Sequence, residues 1–467
     1  MKMRLALLAA LTAACNTSSA DLLPPPFGPN GQQPTRLFFP TGLAVAPDGT
    51  LLVANGNFNH AFDSGTVASI RKSYLDGLFR AARDCDKATP DSGCDQANSD
   101  IAFADAVMIG SYAGPLMFNA AGTMALTGSR DSGILNAVTV GAGGVLGCPP
   151  RPGNSGKDCR AGLVDLGKAA AIDAPFTIIA GDSQGPGQPA PQPVLFVTSV
   201  VPHVDEVSGG VLFTSANVAA LDMDNPARLL FTMSVASFPF VANGTAVGPM
   251  VFDSSRRQLY LSGCYQRFAS GGAGEPGTGI CPNQASNLLR IMNVDGQADS
   301  RPSLLDMYGD VQSSLTVQLL LADRDANGMP MTLWATMRSP DTLVQIQLPA
   351  QPSVAPRVRR AIPLPVSPAD MVLIQRPAGR PELIAIAAEK AGAVAIYDTA
   401  TSSVVSQLNR LGDSPFNLKQ IPCPAELPSD SACLATSVFQ ACRVALIEVP
   451  TNAPWNAKLR ARMGSCP

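Results

Sequence analysis

From Phe39 the chain reads FPTGLAVAPDGTLLVANGNF, in which an apolar run, GLAVA, stops at Pro47-Asp48-Gly49 and resumes as TLLVAN. Two strands joined by a tight turn account for this: Pro47 sets φ, Asp48 bonds back to the backbone and Gly49 takes a positive φ. The two-strand unit then recurs. AGTMALTGSRDSGILNAVTV, from Ala121, repeats its Gly-Thr start, and PVLFVTSV with GGVLFTSANVAALDM and RQLYLSGCY with SNLLRIMNV supply the next two. TLWATMRSPDTLVQIQL, ELIAIAAEKAGAVAIYD and CLATSVFQACRVALIEV align without a gap at a spacing of 50 residues, so that Leu333, Leu383 and Cys433 coincide, as do Val344, Val394 and Val444. Six units follow a short entry motif: Pro40-Thr41-Gly42, Gly114-Pro115-Leu116, Ala174-Pro175-Phe176, Val247-Gly248-Pro249, Pro368-Ala369-Asp370 and Ser414-Pro415-Phe416.

Short strands at regular intervals predict an all-β fold, and a repeat of this length with several strands apiece predicts the blades of a β-propeller. From Gly42 to Pro415 is 373 residues over six intervals, about 62 per blade, which gives about seven four-stranded blades, with six or eight as neighbouring counts. The near-continuous runs LLVA, VLFV and LIAIAA make both faces of each blade apolar, so each must be covered by neighbours, and closing a ring covers all of them. The segments at Asp84–Asp105 and near Asp306 do not fit the repeat. SYLDGLFRAARD carries Leu75, Leu78, Phe79 and Ala82 at helical spacing and predicts a surface helix inserted in the first blade. In the terminal AKLRARM, Leu459, Ala461 and Met463 alternate with Lys458, Arg460 and Arg462, which predicts an exposed edge strand guarded by basic side chains.

The amino end changes the picture from fold to address. MKMRLALLAALTAAC has Lys2 and Arg4, an apolar run and then Cys15, an export signal too short to span a bilayer. Leu11-Thr12-Ala13-Ala14-Cys15 resembles the bacterial lipobox, with the usual Leu one place early. That resemblance implies a signal peptide over 1–14 and an acylated, palmitate-bearing Cys15 as membrane anchor. Residues 15–35, with a Pro triplet and no periodicity, read as a flexible tether, and 36–467 as the propeller. Asn16, in place of an acid after Cys15, implies by the same resemblance the outer membrane over the inner. The sequons at Asn16 and Asn243 read as chance occurrences.

Composition agrees with export. The 41 glycines and 41 prolines in 467 residues suit many turns, and 33 basic against 36 acidic residues provide no field for nucleic acid. Without Cys15 ten cysteines remain, in near neighbours: Cys85 and Cys94, Cys148 and Cys159, Cys264 and Cys281, Cys423 and Cys433, then Cys442 and Cys466. The segments between the four closest pairs are rich in Pro, Gly, Ser and Asp, none has zinc-knuckle spacing, and disulfides formed in an oxidising compartment are the expectation.

PTGLAVAPDGTLLVAN and GAVAIYDTATSSVV resemble the NHL and YVTN classes of exported bacterial propeller. The resemblance implies the fold, and propellers host binding modules and enzymes alike. His60 and His203 are the only histidines, and both read as solvated loop residues. Propeller lactonases hold a divalent metal on the ring axis, and the Glu of their first-strand entry has no counterpart in Pro-Thr-Gly-Leu-Ala. Asn55, Asn57 and Asp63 remain candidate oxygen ligands there. DRDANG offers Asp323, Asp325 and Asn327 as half a calcium loop, but Met331 and Trp334 occupy the late ligand positions, so a hairpin turn is expected. The sequence therefore points to a membrane-anchored, non-enzymatic propeller that binds a protein or small ligand in the envelope, with no cofactor unless Ca2+. A metal-dependent lactonase-like hydrolase and an accessory lipoprotein in outer-membrane assembly are the alternatives.

Overall fold

The computed structural model describes residues 22–27, 34–87, 93–185, 188–199, 203–207, 211–215, 217–234, 248–263, 288–295, 303–306, 315–338, 340–351, 354–376 and 380–466. Cys15, the signal, the Cys264–Cys281 pair and both sequons lie outside them.

The alternating runs form antiparallel sheets of four strands, seven in all. Blade 1 is Pro40–Val45, Leu51–Asn55, Gly65–Ile70 and Phe103–Ile109; blade 2 is Met117–Phe118, Met124–Ser129, Ile134–Val140 and Val164–Asp165. Blade 3 is Pro175–Ser183, Gln192–Ser199, Asn217–Asp222 and Leu229–Ser234; blade 4 is Met250–Asp253, Gln258–Gly263, Leu288–Asn293 and Ser303–Asp306. Blades 5, 6 and 7 begin at Leu315–Arg324, Pro368–Ile374 and Pro415–Ile421 and end at Arg357–Pro363, Ser403–Leu408 and Lys458–Met463. The segment near Asp306 is thus the outer strand of blade 4. Within the third unit, Val211–Ser215 leaves the blade and pairs with His203–Val207 as a separate hairpin, so His203 opens a strand and does not sit in a loop. The expected helix forms over Lys72–Arg80 and buries Leu75, Leu78 and Phe79. Part of the expected tether lies against the ring: Pro24 and Pro25 are buried, and the Asp63 N–H donates to Leu22 O (3.0 Å).

Each pair of adjacent blades encloses its own apolar cluster, seven clusters for seven interfaces. The closing interface joins Leu43, Leu51 and Val53 of blade 1 to Ala435, Val444 and Leu446 of blade 7. All four core strands of blade 7 come from the end of the chain, so no strand is exchanged to lock the ring. A loop of blade 1 does this instead. Asp95–Gln96 adds to the outer strand Lys458–Met463 in parallel, as a fifth strand, and the Cys85–Cys94 disulfide is buried beside it. The Cys85 N–H donates to Leu459 O (2.7 Å), Arg460 Nη1 to Arg83 O (2.7 Å), and Arg462 holds both Asp95 oxygens (2.7 and 3.0 Å).

This corrects the expectation of a bare, basic edge strand. Arg460 is buried and ion-paired with Glu448, and Arg462 serves the clasp. Blade 2 repeats the device on blade 1: its Cys148–Cys159 loop pairs Asp158 with Met108 in parallel, the Met108 N–H donating to Lys157 O (2.8 Å). Cys423–Cys433 and Cys442–Cys466 form within blade 7 as expected, and the latter holds the chain end beyond the last strand to the turn at Cys442.

Replacing Cys85 and Cys94 together by Ala is expected to lower the unfolding free energy by ~3 kcal/mol, the scale for a loop of this size. Urea denaturation of the oxidised protein checks it. A loss under ~1 kcal/mol would show that the Arg462–Asp95 pair and the strand bonds hold the clasp without the bridge.

Candidate ligand site at the ring mouth

The entry motifs converge on one end of the ring. Pro40 pairs with Asn55, Pro175 with Ser199, Pro368 with Ala388 and Pro415 with Val438, so each innermost strand starts beside the turn that links its blade's second and third strands. Immediately after each of these prolines the register shifts by a bulge, and a bulge re-aims a side chain. The residue that follows the proline is Thr41, Phe176, Ala369 or Phe416.

Two of these residues meet across the opening: Phe176 of blade 3 lies 6.5 Å from Phe416 of blade 7, centroid to centroid. Phe416 packs on Phe439 (6.0 Å), Phe439 on Phe58 (4.8 Å), and Phe58 on Tyr112 (4.5 Å). Phe39 joins through Phe439 (5.3 Å), and His60 through Tyr112 (4.8 Å). The gap between Phe58 and Phe176 is filled by Arg130, whose guanidinium carbon lies 4.9 Å from the Phe58 ring centroid, 5.1 Å from Phe176 and 5.9 Å from Tyr112. Phe439, Phe416, Phe176, Arg130 and Phe58 therefore form a closed circuit drawn from four blades. All six aromatic rings are half-buried, the usual state of a lined opening as opposed to a core.

Local backbone geometry sets up this circuit. Asn57 Oδ1 accepts from the Phe62 N–H (3.1 Å), and its Nδ2 donates to Ser111 Oγ (3.0 Å), which ties the loop carrying Phe58 and His60 to the blade 1–blade 2 link. The Tyr112 N–H donates to Gly56 O (2.6 Å). Phe39, Asn57, His60 and Tyr112 all adopt φ near +50°, a cost of order 1–3 kcal/mol each that tends to concentrate at functional sites.

Arg130 is electrostatically unusual. Its Nε is 3.5 Å from Tyr112 O, and among the described residues no carboxylate forms an ion pair with it. Burial pushes its pKa down to about 10, which leaves it charged at neutral pH. Asp131 stands next to it at the rim, and burial pushes its carboxyl up from the ordinary aspartate range, with His60 acting in the opposite sense. The charge of Asp131 favours the cation from nearby, but no described carboxylate closes an ion pair with it, and a cation flanked by aromatic faces in this way is arranged to receive an anion.

A second polar group lies on the inner strands. Asp370, buried, accepts from Gln318 Nε2 of blade 5 (2.7 Å), Asn417 Nδ2 of blade 7 (2.6 Å) and the N–H groups of Met371 and Leu418 (2.8 Å each). Asn417 Oδ1 in turn accepts from the Leu43 N–H of blade 1 (2.9 Å). Burial raises the Asp370 pKa against the pull of Lys419 and these donors. The acid and its two amides thus tie blades 5, 6, 7 and 1 together, with every carboxylate oxygen occupied. The belt stops at Gly42, because a Cβ there would meet Gly114 O at 2.5 Å.

The sequence-derived metal candidates are dispersed. Asn55 is fully buried; its Oδ1 accepts from the Phe38 N–H (3.1 Å), and its Nδ2 donates to Thr66 Oγ1 (2.9 Å). Asp63 is exposed on the loop that follows. Asp325 Oδ1 accepts from the N–H groups of Asn327 and Met329 (2.9 Å each) in the expected hairpin turn, where Gly328 takes φ +79°, while the Asp323 N–H is held by Glu382 (3.0 Å). No group of three acidic, Cys or His side chains converges among the described residues. His60 does face one mouth, as its loop position suggested. Arg130, Tyr112 and Phe439 carried no signal of their own in the sequence, and Phe176 and Phe416 stood there only as members of the entry motifs.

Two substitutions separate these roles. Asp370→Asn is expected to cost ~3 kcal/mol in unfolding experiments, because an amide N–H2 would face buried donors. Arg130→Met is expected to stay within ~1 kcal/mol of the unsubstituted protein, since losing cation–π attraction is offset by relief of a desolvated charge. A loss above ~3 kcal/mol would make Arg130 a structural residue and empty the mouth of its electrostatic argument.

No known protein family matches the chain, and no curated protein does. Solved structures of similar fold include a periplasmic gluconolactonase, PpgL, of Pseudomonas aeruginosa (13% identity, 82% of this chain and 89% of that one, TM-score 0.47). Sqt1 of Saccharomyces cerevisiae (9%, 89% and 96%, 0.48) and apo AztD of Citrobacter koseri (10%, 91% and 86%, 0.39) are others. These likenesses concern the propeller fold alone.

Proposed function

We propose that this chain is a lipid-anchored β-propeller of the bacterial envelope that binds a ligand, without transforming it, at the aromatic mouth of its ring. The observation that carries the reading is the closed circuit of Phe58, Arg130, Phe176, Phe416 and Phe439. Four blades contribute to it, so no single blade needs it for its own packing. The disulfide-closed loops suit an oxidising compartment. The anchor is the acylated Cys15 that the lipobox-like run before it implies, and no helix among the described residues is long and apolar enough to cross a membrane. The hydrolase alternative has less support, because the Asn55 and Asn57 side-chain oxygens that would hold its metal already accept from backbone N–H groups.

Two measurements test this reading. Cys15→Ser, expressed with its signal, is expected to move the protein from the membrane fraction to the soluble envelope fraction; unchanged partition would remove the anchor. Native mass spectrometry of the protein released from its own envelope is expected to show a non-covalent adduct, lost in the double substitution Tyr112→Ala, Phe439→Ala. An unadducted chain, or an adduct indifferent to both substitutions, would move binding away from the mouth.

A further inference from the structure

We infer that the mouth is built for a monocarboxylate carried on an aromatic or similarly flat apolar body, with Arg130 taking the carboxylate and the phenylalanine walls taking the body. This rests on the reading of the mouth as a binding site and specifies what enters it.

Three features select the ligand. Phe58, Phe176 and Tyr112 stand around the guanidinium at 4.9–5.9 Å, and no described carboxylate pairs with it. An unpaired cation in such a place attracts an anion far more than a neutral molecule, and the planar fork of Arg matches a carboxylate through two parallel bonds. Charge count then separates a carboxylate from a phosphate. One guanidinium offers a single positive charge, and Asp131 lies beside it, so a dianion would bring excess negative charge against a neighbouring carboxyl. With Asp131 beside the guanidinium, a monoanion leaves a smaller excess of negative charge than a dianion does. Beyond the head group, Phe416 and Phe439 continue the wall (6.0 Å), with Phe39 behind Phe439 (5.3 Å), surfaces on which a flat apolar body stacks. The same chemistry is offered by a small aromatic acid or by a peptide ending in a free aromatic residue.

Calorimetric titration of the full chain with matched probes decides the matter. Phenylacetate is expected to bind, with phenylacetamide and phenyl phosphate each weaker by about tenfold or more. A short peptide ending in phenylalanine, compared with its C-terminal amide, tells whether the acid is a free small molecule or a chain end: a preference for the peptide acid over phenylacetate assigns the chain end, and the reverse assigns the small acid. Arg130→Met is expected to abolish the preference for acid over amide, and Arg130→Lys to keep part of it, which controls for loss of fold. Equal binding of phenylacetate and phenylacetamide would overturn the assignment while leaving the mouth a binding site. So would a preference for phenyl phosphate, or a preference unchanged in Arg130→Met. Failure of every probe up to roughly 10 mM would overturn it too. In that case the native adduct alone tells whether the broader reading survives.

Discussion

A sheet that is apolar on both faces is stable only between neighbours, so the interface that closes the ring decides whether the other six hold. Each interface owns a separate apolar cluster, and none is large enough to be a domain core by itself. Rings of this kind can lock by weaving the first strand of the chain into the last blade. Here blade 7 is complete without help, and closure falls to a loop of blade 1 that pairs with the outer strand of blade 7. The loop is stiffened by Cys85–Cys94, buried on its inner side, and held at its tip by Arg462 on Asp95. Blade 2 reaches back to blade 1 in the same way through Cys148–Cys159. Both disulfides therefore act on inter-blade edges, which explains their position between the third and fourth strands of their blades.

The second constraint is the bulge that opens the innermost strands. Inserting residues after the entry proline turns one side chain toward the mouth and sets the next where it can reach an adjacent blade. In blade 7 these are Phe416 and Asn417; in blade 6, Ala369 and Asp370. A single backbone irregularity thus provides both the aromatic rim and the polar belt. The two tasks differ in tolerance. The belt binds buried donors to buried acceptors and admits little change, whereas at the position before it Phe176 and Phe416 face the mouth, Thr41 is buried and bonds Ala54 O, and Ala369 packs on the core of blades 6 and 7.

This explains which parts of the protein were legible from sequence. Blades were legible because burial on two faces writes long apolar runs, and the 50-residue register of the last three units left no competing period. The entry prolines marked the bulges without revealing their purpose. The clasp was not legible: CDKATPDSGCDQ reads as a loop, and only the register of Asp95–Gln96 on Arg462–Met463 makes it a strand. That same pairing turned the supposed bare edge into a covered one. The DRDANG hairpin was legible because Asn-Gly and an Asx bond are local, and the mouth was not because it is assembled from separate places. Arg130 sits in GSRDSG, a turn like any other, and acquires meaning only when Phe58, Tyr112 and Phe176 arrive from 72, 18 and 46 residues away.

A desolvated guanidinium in no ion pair among the described residues and four residues at φ near +50° are both costs to folding, and they fall at the same end of the ring. Neither contributes to the apolar interfaces that hold the blades. An arrangement of this kind persists only on a scaffold rigid enough to impose it. The belt through Asp370 supplies that rigidity on the side of blades 5, 6, 7 and 1, and the clasp supplies it at the outer edge where blade 1 reaches blade 7. Closure and mouth are therefore linked: opening the seventh interface would separate Phe58 from Phe439 and break the aromatic circuit before any blade unfolds. The stability invested in closing the ring is what keeps a desolvated guanidinium facing the opening, free to take its counter-ion from outside the chain.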